Sequence, residues 1–185
     1  MSAATASDWT FLHDGTVWMF AAVWQPGTVA SPEVDYRLFA TYVSTSDSGV
    51  DVAWQDSATN ENAMRMLITR GVSGSYAVIN GQGVSGTMSA NTPTIYSALA
   101  DPSNATASLR SSLFHDDDAA FQANTQTNAP SATDPTYALQ IGATGNGGGR
   151  LTGKIAEIVI VAGANATESN RQALRDYLNN KWAVY

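Results

Sequence analysis

The chain has 185 residues, 44% of them hydrophobic, with five Trp, no Cys and a formal net charge of −7. That apolar content is enough to build a core, while an acidic surface with only two lysines, Lys154 and Lys181, repels phosphate backbones and anionic headgroups; neither nucleic acid nor membrane is an expected partner. Without cysteine there is no disulfide framework, thiolate catalysis or thiolate-bound zinc, the stretch Met1-Ser-Ala-Ala-Thr-Ala-Ser7 reads as no signal peptide, and no run approaches the roughly 18 apolar residues of a membrane span.

In chain order, Trp9–His13 and Thr16–Trp24 are predicted strands, a hairpin turning at Asp14-Gly15. In the second, Val17, Met19, Ala21 and Val23 alternate with Trp18, Phe20, Ala22 and Trp24, so both faces are apolar. That marks a strand covered on both sides or lying in an interface. Strands follow at Tyr36–Thr45, Val50–Gln55 and Met64–Arg70, the last with Met64, Met66 and Ile68 opposite Arg65 and Thr69. Ser75–Ile79 runs into Asn80-Gly81, a hairpin signal, and Thr94–Ala100 and Ala107–Phe114 are two further strands. Asp116–Pro135 is polar and without period, hence mostly loop. Tyr137–Ala143, a glycine-dense loop Gly145–Gly149 and Gly153–Val161 complete the strands. The spacing is that of a sandwich occupying residues 1–185 as one domain.

A helix over about 167–182 closes the chain. Thr167 is an N-cap and Glu168 sets an acid against the positive end of the helix dipole. Leu174, Tyr177, Leu178 and Trp182 share one face, which predicts Leu174, Leu178 and Trp182 buried against a sheet; Arg171, Arg175 and Asn179 are expected to face water.

Gly153-Lys-Ile-Ala-Glu-Ile-Val-Ile-Val161, followed by Thr167, Arg171, Leu174, Tyr177-Leu178 and Lys181-Trp182, resembles the end of a concanavalin A-like lectin/glucanase (laminin-G-like) domain. Ile141-Gly-Ala143 resembles the strand before it, and Ser7-Asp-Trp-Thr10 with Thr16–Trp24 the early strands. The resemblance implies an all-β fold, a two-sheet antiparallel jelly-roll sandwich with one C-terminal α-helix. It places the chain beside carbohydrate-binding proteins, glycosidases, bacterial surface proteins and phage virion proteins. The chain opens where the family's first or second strand lies, so a strand is either missing or supplied by a neighbour. The paired acidic motif of the family's glucanases, Glu-x-Asp-x-x-Glu, is absent: the four Glu are Glu33, Glu61, Glu157 and Glu168, and no enzymatic activity is expected.

Few motifs carry chemistry. Gly81-Gln-Gly-Val-Ser-Gly86 matches a dinucleotide fingerprint but no helix pattern follows it, so it reads as a hairpin loop. His13, Asp14 and Ser112 make a triad on paper without supporting spacing or a nucleophile elbow. Asp116, Asp117 and Asp118, after His115, offer oxygen ligands to Ca²⁺, the one cofactor considered, against the plainer reading of a solvated acidic turn. Trp54, Tyr76, Asn146 and Arg150 are the candidate carbohydrate-binding residues: aromatic faces pack on sugar CH groups, polar loop groups meet hydroxyls, and the glycine loop lets backbone approach a ligand.

Two functions follow from the resemblance. The first is a non-enzymatic structural protein of a phage virion, of the capsid-decoration or fibre type, located on the particle and contacting other virion proteins or itself as a homotrimer. The alternative is a carbohydrate-binding module or adhesin recognising surface glycans.

Overall fold

The two-faced apolar run around residue 20 organises the molecule. The computed structural model describes residues 4–27, 34–41, 43–44, 46–57, 60–70, 76–80, 90–117, 119–120 and 130–185. Among them run strands β1 (Trp18–Pro26), β2 (Val34–Ala40), β3 (Ser48–Ser57), β4 (Asn60–Arg70), β5 (Tyr76–Asn80), β6 (Thr94–Ala100), β7 (Ser111–His115), β8 (Gln140–Ile141) and β9 (Gly153–Ala162), then helix α1 (Glu168–Trp182). Every strand pairing is antiparallel. The strands form a four-stranded sheet ordered β7-β6-β1-β9 and a five-stranded sheet ordered β5-β4-β3-β2-β8. No helix of the described residues is long and apolar enough to cross a membrane.

Side chains alternate across a strand, and β1 uses both sides. Trp18, Phe20, Ala22 and Trp24 face the five-stranded sheet and enter the inter-sheet core. There Phe20 meets Phe39 edge-on at 5.1 Å and Trp24 meets Trp54 at 6.1 Å between ring centroids. The Tyr96 hydroxyl donates to the Arg65 carbonyl at 3.0 Å, joining the sheets, and burial pushes its pKa well up. Ala21 and Val23 point the other way and, with Ile95, receive Leu178 of α1. The second apolar face is thus covered by the chain's own helix, and the reading of this face as a contact with another chain is not needed. Met64 and Met66 point into the core as their alternation implies, but Leu67 and Thr69 are buried on the opposite face as well.

The helix begins as its sequence implies. The Thr167 hydroxyl accepts from the Asn170 backbone N–H at 3.2 Å. At the far end the Asn179 side-chain carbonyl accepts from the N–H groups of Val184 and Tyr185, both at 3.1 Å. Its buried stripe differs from expectation. Leu178 is buried, Leu174 is half-buried, and Trp182 is 43% exposed. Trp182 lies only about 40° from Leu178, one turn on, but it is the last residue of α1, where its indole turns to Glu157 beside an open groove. Seven residues fall only about 20° short of two full turns, so Arg171 shares the face of Leu178. Arg171 is 2% exposed, its guanidinium 3.4 Å from the centroid of the Phe114 ring. It donates to Ser97 Oγ at 2.8 Å and to both Glu168 carboxylate oxygens at 2.7 and 2.8 Å.

Other elements differ, and β2 ends at Ala40, short of the expected Thr45. Ala6–Leu12 is a 3-10 helix, not a strand: the Thr5 N–H donates to Asp8 Oδ2 at 2.7 Å, and the Trp18 indole N–H donates to the Leu12 carbonyl at 2.9 Å, plugging Leu12 into the core. The segment before β7 opens with a 3-10 turn at Ala107–Leu109. Tyr137–Ala143 pairs only at Gln140–Ile141, because Gly142, at φ 74°, turns the chain off the ladder. The 81–86 glycine motif lies outside the described residues.

Candidate ligand-binding rim

Trp54 is not a sugar platform. It is 0% exposed, packed between Trp24 and Tyr36, because its parity on β3 with Val50 and Val52 turns it inward. The Tyr76 side chain and Asp118 lie outside the described residues. Asp116, at φ 48°, spends one carboxylate oxygen on the chain itself: Oδ1 accepts from the Ile95 N–H at 2.7 Å and the Thr94 hydroxyl at 3.2 Å. Asp117 is exposed beside it, and among the described residues no group of three His or acidic side chains is placed to hold a metal ion. Through Oδ1, Asp116 holds the start of β6 to the end of β7. His13 donates from Nε2 to the Thr133 carbonyl at 2.7 Å, and that bond, with burial, gives it a structural position.

Asn146 and Arg150 are exposed on the loop that joins the sheets. Asn146 Oδ1 accepts from the Thr144 hydroxyl at 2.7 Å and the Gly148 N–H at 3.1 Å, and the Arg150 Nε–H donates to the Gly147 carbonyl at 3.1 Å. These bonds give the loop a defined shape despite its glycines. It rests on Arg37, whose backbone N–H donates to the Gly149 carbonyl at 3.2 Å. Gly149 has φ 49°, a region that favours glycine, and a Cβ there would lie 2.6 Å from Arg37 Nη1, so a side chain at this position would displace the guanidinium.

Arg37 belongs to a charge cluster on the face of the five-stranded sheet turned away from the core. Asp51, 0% exposed, accepts from Arg37 Nε at 3.2 Å and from Arg65 Nη2. The register explains the meeting: Arg37 and Arg65 both stand opposite Ala53, one on each side of β3, and Asp51 is two residues along. Arg37 and Asp51 escaped the sequence reading; their signal is a charged residue set among apolar ones on each of two strands.

A second polar group lies at the end of α1. Glu157 Oε2 accepts from Lys181 Nζ at 2.8 Å and from the Trp182 indole N–H at 2.9 Å; the ammonium and then the indole hold this carboxyl below its ordinary range. Lys181 also donates to the Tyr177 hydroxyl at 3.0 Å, and contact with Glu157 raises its own pKa. Beside it runs a groove of about 450 Å³, lined by Val23, Gln25, Pro93, Lys154, Ile155 and Trp182 among others.

No protein-family model matches the chain, and no curated protein matches its sequence. Solved structures match its shape. The CBM40 of the Ruminococcus gnavus IT-sialidase superposes with a TM-score of 0.59 at 10% identity, over 88% of this chain and 84% of that one. The fold is shared with sialidase carbohydrate-binding modules. The same module bound to α2,3-sialyllactose matches with a TM-score of 0.56. The NanB sialidase of Streptococcus pneumoniae matches at 0.64 and 13% identity over 92% of this chain but 25% of its own. The leech intramolecular trans-sialidase matches at 0.54 over 86% of this chain and 23% of its own. At 10–13% identity the likeness is one of fold.

Proposed function

We propose that this chain is a non-catalytic carbohydrate-binding module, and that the rim carrying Asn146 and Arg150, seated on Arg37, contacts the glycan. The observation that carries the reading is the match in fold to a sialidase CBM40 along most of both chains. A further support is chemical. A module of this shape is described in complex with α2,3- and α2,6-sialyllactose, whose sialic acid bears a carboxylate, and arginine is the side chain best shaped to hold one. The resemblance to phage virion proteins, and with it a particle location and a homotrimer, gains no support from these neighbours, so the glycan reading takes precedence. A glycan array probed with the folded chain tests it. Retention on sialylated glycans, reduced by Asn146→Ala and Arg150→Ala, is the expected result; a blank array defeats the reading.

A further inference from the structure

Both lysines of this acidic chain stand at one groove, and that groove has an aromatic wall. Lys154 lines it, and Lys181 stands beside it on Glu157. Lys154 makes no ion pair among the described residues, so one ammonium at the groove is uncommitted. Of the five Trp, three are fully buried and Trp9 packs on the core; Trp182 is the exposed one. Its indole N–H is held by Glu157, so the ring is presented in a fixed orientation and loses little freedom when a ligand covers it.

Resting on the glycan-binding reading, we propose that the groove between the C-terminal end of α1 and the start of β9 is a sugar subsite. A pyranose ring lies on Trp182 beside Val23, and an anionic substituent of the sugar meets Lys154. A mostly apolar lining with one fixed aromatic face suits the CH face of a sugar, and Gln25 and Lys154 in the same lining suit its hydroxyl edge. The volume falls within the range of small-ligand sites, about 300–1,000 Å³. Two lysines against one carboxylate, in a chain of net charge −7, favour an acidic sugar over a neutral one.

The test is an NMR titration of the folded chain with α2,3-sialyllactose and, separately, lactose. The Trp182 indole signal is identified by its loss in Trp182→Ala. The proposal expects that signal and the amides of residues 154–156 to move saturably with sialyllactose. Lys154→Gln, an exposed change that leaves the fold alone, should weaken sialyllactose about fivefold and lactose little. Trp182→Phe, which keeps a ring, should retain more affinity than Trp182→Ala, expected to lose about tenfold or more. If residues 145–150 respond and the Trp182 region does not, the groove is overturned and the glycan reading stands. If no signal moves with either sugar, both fall.

Discussion

Replacing Arg171 by Met tests how the helix is held. The guanidinium is 2% exposed, touches Ser97 Oγ, covers the Phe114 ring and pairs with Glu168. Methionine fills much of the volume but makes none of these contacts. Ser97, itself 0% exposed, loses its partner, which costs about 1–3 kcal/mol. The desolvated cation–ring contact contributes about 2 kcal/mol. Glu168, 44% exposed, returns to water at little cost. A net loss of about 2–4 kcal/mol follows after the apolar replacement is credited, or about 5–15 °C in melting temperature for a chain of this size. Glu168→Gln should cost about 1–3 kcal/mol, because it leaves a buried charge without its counter-charge. The double variant should fall short of additivity by about 1–2 kcal/mol. Urea unfolding followed by tryptophan fluorescence measures all three, with m held as the control. An Arg171→Met midpoint equivalent to within about 0.5 kcal/mol of the parent, or simple additivity, would refute the reasoning.

Leu178→Ala should cost about 2–5 kcal/mol in the same assay, whereas Trp182→Ala, truncating a half-exposed ring, should cost about 1–2; the reverse order would contradict the docking geometry. His13 is buried, and desolvation lowers its pKa; its Nδ1 has no partner to receive a proton's hydrogen bond. Above about pH 6.5 it is neutral folded and unfolded, so it adds no pH dependence. As pH falls below that, the unfolded chain takes up the proton first, and stability drops by up to about 1.4 kcal/mol per unit until the folded pKa is reached. His13→Gln should flatten that limb, and an unchanged slope would refute it. Because Asp116 is committed to the β6 backbone, millimolar Ca²⁺ should leave the melting temperature within about 1 °C; a rise of several degrees would restore the acidic run as a metal site.

Some of this was readable from residues alone. The parity of β1 announced two buried faces, and only the identity of the second cover, α1, needed the fold. The Thr167 cap and the span Thr94–Ala100 stand where local pattern put them. Trp54 shares its inward parity with Val50 and Val52, but how completely it is covered depends on Trp24 and Tyr36, on strands 30 and 18 residues away in sequence. Charge alone points Arg171 to water, but at i and i+7 its angle places it with Leu178. The Arg37–Asp51–Arg65 cluster depends on strand register, including the irregularity in β2 between Arg37 and Phe39, which no local pattern encodes. The glycine loop was legible as a loop, but its seat on Arg37 was not, since that contact joins residues more than a hundred apart.

Isothermal titration of the folded chain with α2,3-sialyllactose, with lactose as the comparison, tests the central claim most directly. A carbohydrate-binding module predicts a saturable, one-to-one or two-to-one isotherm for sialyllactose, with Kd on the order of 0.1 mM or about −5 kcal/mol, weaker heat for lactose, and sugar recovered intact afterwards. Identical flat traces for both sugars from a cooperatively folding sample, or release of sialic acid during the titration, would contradict it.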